Sequence, residues 1–426
     1  MYRLRTYASA TLGAFILLCL PALSWAQTPA PTPPPPQQEP IMPDHDHMNM
    51  DMSMGGGWAF MQDGVVFGLF NHQGGARGDD EVKAPNWWMG MLTRPFGRQQ
   101  ITLTSMLSLD RVTVGRRGSA ELFQAGETLG GQPNIDRQHP HDFFMQLAGA
   151  WRLQLGEGTG LTIAGGPAGE PALGPVAFMH RASAAENPLA PIGHHTLDST
   201  HISYGVVTAS LDHGAWAVEG SAFNGREPDE NRWNLDLGAL DSVSGRVWLR
   251  PWSDWEFQVS TGHLTDPERL EPGNVVRTTA SGSWLRKHDS DFVAVTLGAG
   301  VNRKDDENHG NVFAEATWRK SRNAIYGRAE VHQPEISLLL TGQVPTTSAA
   351  KAMGGTLVAL TAGGVRDVAT VRGFNLGLGG DVTAYRVPPV LRTGAYGRPV
   401  SFQIYLRLRL PAVGGRMWNM RMAGPV

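Results

Sequence analysis

The sequence predicts an all-β fold, a transmembrane antiparallel β-barrel of about 16 strands (range 14 to 18), with long external loops and short periplasmic turns. Apolar and polar residues alternate over segments of about ten residues, which is the length that a tilted strand needs to cross a bilayer. The polar side of these segments carries recurrent arginines. Long and short connections alternate along the chain, as they do in barrels whose long loops all lie at one end.

The alternation is clearest in two segments. In SFQIYLRLRL, Phe402 and Ile404 share one side of the predicted strand and Arg407 lies on the other. In FFMQLAGAWRLQL, Met145 and Trp151 share the apolar side. A soluble β-sandwich would also alternate, but strand length, the charged second face and 52 glycines favour the barrel. The predicted strands span residues 58–70, 86–94, 100–110, 142–155, 160–166, 201–211, 215–223, 242–250, 255–264, 275–286, 292–302, 311–320, 323–333, 356–366, 370–385 and 400–410.

Charged residues on the polar side of the strands are expected to face the lumen. Arginine and glutamate recur at these positions. The wall is therefore either a salt-bridged, solvated lining or a lining that selects among ions. The residues predicted to line the pore are Arg246, Arg250, Arg277, Arg328, Glu330, Arg407 and Arg409.

The N-terminus has the pattern of an export signal. Arg3 and Arg5 precede an apolar run over residues 8–20, and Ala26 ends a Ser-Trp-Ala site suited to signal peptidase. We therefore expect the mature protein in the outer membrane of a Gram-negative cell. The predicted divisions are a signal peptide at 1–26, a disordered tail at 27–57, the barrel at 58–410 and a Met-rich extension at 411–426.

Composition narrows the partners. The only cysteine, Cys19, lies in the predicted signal peptide, so the exported chain is expected to have no disulfide and no thiolate metal ligand. Loss of the two arginines in that peptide leaves 34 basic and 39 acidic residues, a net charge of −5. Without a basic stripe, such a chain is not expected to bind nucleic acid. Its expected partners are outer-membrane lipid and a metal ion or small solute.

A short motif, HDHMNMDMSM, follows the proline-rich part of the tail. Thioether sulfur is a soft ligand that selects Cu(I), and imidazole extends the range to Cu(II). The motif therefore predicts copper capture, and a Met-rich linker is the alternative. At the other end of the chain, Met417, Trp418, Met420 and Met422 form a second group, which we interpret as an extension on the barrel rim, with a soft-cation site as the alternative. The predicted tail ligands are His45, His47, Met48, Met50, Met52 and Met54.

Histidines cluster in two predicted external loops. The stretch DRQHPHD and the stretch from Met179 to His201 carry imidazole and carboxylate groups, which suit zinc, copper, nickel or iron. The two loops are expected to meet at, or fold into, the external mouth, at the opposite end of the barrel from the tail. There they either hold a divalent metal or form an ordered constriction. The candidate ligands are His139, His141, Asp142, His180, His194, His195, Asp198 and His201.

An export signal, a Met/His/Asp-rich tail and a barrel together resemble the plan of the bacterial copper resistance protein B family. The resemblance covers residues 1–57 in character and the rest of the chain in architecture. It implies a role in periplasmic copper tolerance, with a periplasmic metal-handling partner. This chain has a single short HDHMNMDMSM motif, whereas that family tends to repeat such units, and the barrel here is longer.

Three functions are expected, in decreasing order of weight. The first is copper or other heavy-metal tolerance or transport, with the tail capturing soft metal in the periplasm. The second is a general or substrate-specific porin whose histidine-rich loops constrict the pore. The third is an outer-membrane hydrolase that uses Asp198, Ser199 or His201. Because closeness in sequence does not supply the geometry of a triad, the chain is predicted not to be an enzyme.

Overall fold

Sixteen antiparallel strands form a barrel in the computed structural model, which describes residues 53–54, 57–125, 128–304, 307–351 and 353–418. The predicted signal peptide, the tail ligands from His45 to Met52, and Met420 and Met422 lie outside the described residues. The strands are β1 (Trp58–His72), β2 (Asn86–Phe96), β3 (Gln99–Leu107), β4 (Phe144–Gly156), β5 (Thr159–Gly169), β6 (Ser203–His213), β7 (Trp216–Phe223), β8 (Ser242–Leu249), β9 (Trp255–Leu264), β10 (Val275–His288), β11 (Asp291–Lys304), β12 (Glu307–Lys320), β13 (Asn323–His332), β14 (Leu357–Val371), β15 (Phe374–Arg386) and β16 (Val400–Arg409).

The last strand returns to the first and closes the sheet. β16 pairs with β1 from Val65 opposite Arg409 to His72 opposite Phe402, and the other barrel strands pair with their neighbours in sequence. Closure leaves no sheet edge in lipid, where unpaired backbone groups are costly. Just before the barrel, the Ser53–Met54 segment pairs with the start of β1. The predicted fold class and the number of strands are confirmed.

The two faces of the strands differ as the alternation predicts. On β16, Ile404 and Leu406 are each more than half exposed on the outside, whereas Gln403 and Arg407 are buried inside. A bilayer would cover the outer apolar side chains, and the inner polar ones are paired in the lumen. This arrangement is that of a membrane-spanning barrel rather than a soluble β-sandwich.

Connections at one end of the barrel, which we term the turn end, are two to five residues long. Those at the other end, the loop end, are mostly longer, as predicted. Two predicted connections are wrong. β11 continues to Lys304 and β12 starts at Glu307, so the long loop predicted at 303–310 has only two residues. β14 continues to Val371, which moves the turn predicted at 367–369 to residues 372–373.

A β-bulge in β4 corrects the predicted facing of Met145. The alternation places this residue on the outer side with Trp151, but the register between β3 and β4 shifts between Phe144 and Gln146. A bulge adds one residue to a strand and re-aims its side chain. Met145 is consequently only 1% exposed and lines a cavity inside the barrel.

Short helices and strands occupy the loops. Among the described residues, no helix is long and apolar enough to cross a membrane. The helical segments are Asp110–Thr113, Phe178–His180, His194–Leu197, Ser199–His201, Ile336–Thr341, Ser348–Lys351, Pro389–Leu391 and Arg392–Tyr396. The short strands are Asp80–Lys83, Ser119–Ala120 paired with Arg137–Gln138, and Thr128–Leu129 paired with Gln132–Pro133.

Three of the long loops pack together over the loop end, in an apolar cluster that we term the cap. Leu122 and Phe123 come from the loop after β3, Leu339 from the loop after β13, and Tyr396 from the loop after β15. The Phe123 and Tyr396 rings lie 4.5 Å apart between centroids. Ile192 belongs to the same cluster, so the cap rests on the loop after β5.

Candidate functional site

The loop after β5, residues 170–202, folds into the barrel, and we term it the inserted loop. All ten residues from 171 to 180 are buried, and so are residues 190–194. Loops normally run over the surface of a protein, because a buried backbone must find partners for its polar groups. Inward side chains of the strands supply those partners here, so the loop fills part of the lumen.

Arg181 anchors the middle of the inserted loop. Its Nε donates to Glu315 Oε1 on β12 (2.5 Å) and its Nη1 donates to Asp198 Oδ2 (2.7 Å). From β13, Arg328 donates to Glu315 Oε2 (3.3 Å) and to the Ala190 carbonyl (2.9 Å). Burial alone would raise the pKa of Asp198, but the Arg181 guanidinium holds it below its usual value. The anchor is therefore a buried network of two arginines and two acidic side chains.

Glu186 is the second anchor. This buried carboxylate accepts hydrogen bonds from three arginines of the wall: Arg319 (3.1 Å), Arg409 (3.1 Å) and Arg407. The Tyr405 hydroxyl donates to the Glu186 carbonyl (3.1 Å). A carboxylate with this many charge-assisted donors fixes the loop in both position and orientation.

Of the seven residues predicted to line the pore, six bind the inserted loop. Arg246 donates to the Gly174 carbonyl (2.9 Å), and Arg277 donates to the His195 carbonyl (2.5 Å). The Gly193 N–H donates to Glu330 Oε1 (3.3 Å). Arg328, Arg407 and Arg409 make the bonds given above. The seventh, Arg250, pairs with Glu256 near the turn end.

The opposite side of the lumen is more open. The side chains that hold the inserted loop come from strands between β7 and β16; for example, the Ala172 and Gly174 N–H groups donate to the Ser221 and Ser260 hydroxyls. A cavity lies between the loop and strands β2 to β5. Its lining includes Thr102, Gln146 and His180. The loop therefore divides the lumen into a tethered side and an open side.

Three of the predicted loop ligands meet. The rings of His194 and His201 lie 5.2 Å apart between centroids, and those of His141 and His201 lie 6.0 Å apart. Each ring is held by an oxygen atom: His194 Nδ1 is 2.7 Å from Asp198 Oδ1, and His141 Nδ1 is 2.7 Å from Asp110 Oδ2. The two histidine-rich stretches thus converge, with the inserted loop folded into the barrel.

The other predicted loop ligands lie apart from this cluster or have ionic partners. His195 Nδ1 is 3.0 Å from Glu227 Oε1, and Asp142 accepts from Arg232 (3.0 Å). His139 is partly buried, and His180 packs edge-on against Trp87, 5.0 Å between ring centroids. Because Arg232 already compensates the Asp142 carboxylate, that residue is a poor metal ligand.

The convergence of histidines does not by itself make a tight metal site. Among the described residues, Glu268, Glu271 and Glu335 are the group of three possible ligands whose oxygen or nitrogen atoms lie within 4.8 Å of one another. Lys304 Nζ lies 3.2 Å from Glu271 and 3.7 Å from Glu268, so an ammonium group already balances that cluster. A divalent metal on the loop histidines stays a prediction.

Asp198, Ser199 and His201 are not arranged as a catalytic triad. Ser199 Oγ accepts a hydrogen bond from Arg277 (2.9 Å), and His201 Nδ1 is 2.8 Å from the backbone carbonyl of Asp198. The Asp198 carboxylate bonds instead to Arg181 and His194. A triad requires the imidazole to bond both the hydroxyl and the carboxylate, and the His201 imidazole bonds neither of them.

Sequence reasoning missed the two residues on which the inserted loop depends. Arg181 and Glu186 have no motif around them. The signal was present in composition, since from Pro171 to Leu197 they are the only Lys, Arg, Asp or Glu residues. A loop of more than 25 residues with so few charges is suited to burial rather than to solvent.

Comparison with known proteins supports the fold alone. No protein-family model matches the chain, and no curated protein matches it. Among solved structures, an anion-selective porin from Comamonas acidovorans is 9% identical, covers 83% of this chain and 100% of its own, and has a TM-score of 0.50. OprB from Pseudomonas putida (10% identity, 83% and 94% coverage) and OmpF from Salmonella typhi in complex with daunomycin (8%, 83% and 98%) each have a TM-score of 0.49. The barrel is thus porin-like.

Glu186→Gln should destabilise the barrel by about 3–5 kcal/mol, because it leaves buried arginines without their carboxylate. The measurement is urea unfolding in detergent, followed by tryptophan fluorescence. Glu230→Gln is the matched control: its partner Arg116 is 59% exposed, so the loss should stay below about 1 kcal/mol. Equal stability of the two variants would contradict the anchoring role of Glu186.

Glu121 in the cap should make stability depend on pH. Burial raises the pKa of this carboxyl to about 8, and its Oε2 has no hydrogen-bond partner within the described part of the chain. Between pH 4.5 and 8 the folded protein therefore holds a proton that the unfolded chain releases. Stability should fall as pH rises, by up to about 1.4 kcal/mol per pH unit.

Glu121→Gln removes this proton and should flatten the dependence, so that the variant is more stable than the parent at pH 8. Thermal unfolding from pH 5 to pH 8 measures the effect. Glu157→Gln, at an exposed turn residue, should keep the parent's profile. If the stability of the parent and that of Glu121→Gln changed with pH in parallel, Glu121 would not be the source of the pH dependence.

Proposed function

We propose that the protein is an outer-membrane channel for small polar solutes, exported by its N-terminal signal, without enzymatic activity. The observation that carries this proposal is the inserted loop, which narrows the lumen while remaining fixed to one side of the wall. A pore that selects solutes needs such a rigid constriction, because a mobile loop could not hold a defined cross-section. The porin-like fold is consistent with this reading.

The space beside the inserted loop supports a restricted path. The cavity along β2 to β5 is accompanied by a second one, lined by Phe67, Trp87, His141 and Phe178 among others. Trp87 in the second cavity touches His180 in the first. A solute would therefore follow the open side of the lumen, past this aromatic–imidazole pair.

Removal of the constriction should increase conductance. Replacement of residues 177–190 by a short Gly/Ser linker should raise single-channel conductance in planar bilayers several-fold, since the lumen of a 16-stranded barrel is then unobstructed. Shortening of the more exposed stretch 234–240 is the control and should leave conductance unchanged. Failure of both the parent and the loop variant to conduct would contradict a channel.

Copper or other heavy-metal tolerance is the second candidate function. The tail motif with alternating methionines favours it, as does the resemblance in plan to the copper resistance protein B family. In this reading, the tail gathers soft metal in the periplasm, exchanges it with a periplasmic metal-handling partner and delivers it to the barrel. Copper would then be cargo rather than a resident cofactor.

A peptide of residues 41–57 should bind Cu(I) with sub-micromolar affinity, because several thioethers can surround one soft ion. Competition with a chromophoric Cu(I) chelator measures the affinity. A peptide with leucine at each methionine is the control, and it should bind Cu(I) much more weakly. Binding no tighter than micromolar by the native peptide would remove the tail from this function.

A further inference from the structure

Methionines form a ladder across four neighbouring strands on the open side of the lumen. Met61 on β1 pairs with Met91 on β2, and Met89 on β2 pairs with Met106 on β3. On β4, the bulge places Met145 next to Gln146, the residue that pairs with Met106. Directly paired side chains in a sheet lie about 5 Å apart at their Cβ atoms. We term these five residues the methionine ladder.

The ladder is unusual for its position. The interior of an outer-membrane barrel is normally polar, yet all five side chains of the ladder are buried there. The same apolar cluster contains Met179 from the inserted loop and Met417 from the segment after β16. Methionine often fills gaps in a core, but here a cavity remains beside the thioethers.

Two histidines of the inserted loop line that cavity with four residues of the ladder, Met89, Met91, Met106 and Met145. His201 Nδ1 is bonded to the Asp198 carbonyl, and its buried Nε2 has no hydrogen-bond partner among the described residues. The Met417 backbone bonds the His180 ring, whose buried Nδ1 likewise lacks a partner in the described chain.

This pattern is that of an imidazole prepared to bind a metal. When one ring nitrogen donates its proton to a backbone carbonyl, the other presents a lone pair. The buried Nδ1 of His180 and the buried Nε2 of His201 are therefore available to ligate.

We propose that this cavity, the thioether chamber, binds one soft monovalent metal ion, Cu(I), through thioethers of the methionine ladder and the imidazoles of His180 and His201. Thioether and imidazole without thiolate select Cu(I) over harder divalent ions. The site lies in the barrel, so it is distinct from the tail motif. It also goes beyond the proposed channel, because a channel for polar solutes needs no soft ligands.

The test uses the full chain in detergent with the predicted metal ligands of the tail substituted, so that only the barrel can bind Cu(I). This parent should still bind about one equivalent of Cu(I), measured under reducing conditions by competition with a chromophoric chelator. X-ray absorption should detect sulfur and nitrogen neighbours around the ion. The substituted residues are His45 and His47 (to alanine) and Met48, Met50, Met52 and Met54 (to leucine).

Met89→Leu combined with Met106→Leu should weaken Cu(I) binding at least about tenfold, while conserving side-chain volume and so the fold. Met353→Leu, at an exposed loop position, is the control and should bind as the parent does. His201→Gln provides an independent variant of the loop side and should also weaken binding.

Two results would overturn the proposal that the thioether chamber binds Cu(I). One is a tail-substituted parent that binds Cu(I) no more tightly than micromolar. The other is full retention of affinity in both the double leucine variant and His201→Gln. Neither measurement uses conductance, so loss of the channel proposal would leave this one standing, and the reverse also holds. Should the double variant misfold, the single Met106→Leu variant and a Cu(I)-induced rise in the Tm of the parent decide the question.

Discussion

The structure depends on burying a long loop inside the barrel without leaving its polar groups unpaired. A buried charge loses several kcal/mol of solvation, which only a close opposite charge and further hydrogen bonds can offset. Wall and loop satisfy this condition reciprocally: Glu315 of the wall faces Arg181 of the loop, and Arg407 and Arg409 of the wall face Glu186. The loop backbone has no sheet partners there, and Arg328 bonds two of its carbonyls.

This pairing makes the lumen asymmetric. Many of the charged side chains of strands β7 to β16 bond the inserted loop. Strands β2 to β5 face the loop across a cavity with mostly apolar or uncharged side chains, such as Met89, Thr102 and Gln146. Ion pairing therefore has a structural role on one side of the lumen, and the cavity lies on the other. Most of the arginines predicted to line the pore instead hold the inserted loop in place.

Period-2 alternation was sufficient to predict the strands, because lipid and lumen impose opposite polarity on successive residues. It could not predict the bulge at Met145, since a single extra residue leaves the local pattern intact. Nor could it predict the inserted loop, whose anchors are distant in sequence: Glu186 and Arg407 are 221 residues apart. Only the scarcity of charge in the loop hinted at burial. The histidines were recognisable as a group, but their unpartnered ring nitrogens arise from tertiary contacts.

Insertion of the loop also brings into contact segments that the strand count places far apart. The strand count places the histidine-rich loop and the C-terminal methionines at opposite ends of the barrel. In the structure, residues after β16 turn back inside: Arg416 and the Met417 N–H bond Asp63 of β1, and Trp418 packs on Phe292 of β11. The His180 ring forms a hydrogen bond with the Met417 backbone. Groups that the strand count assigns to opposite ends of the barrel therefore meet inside it.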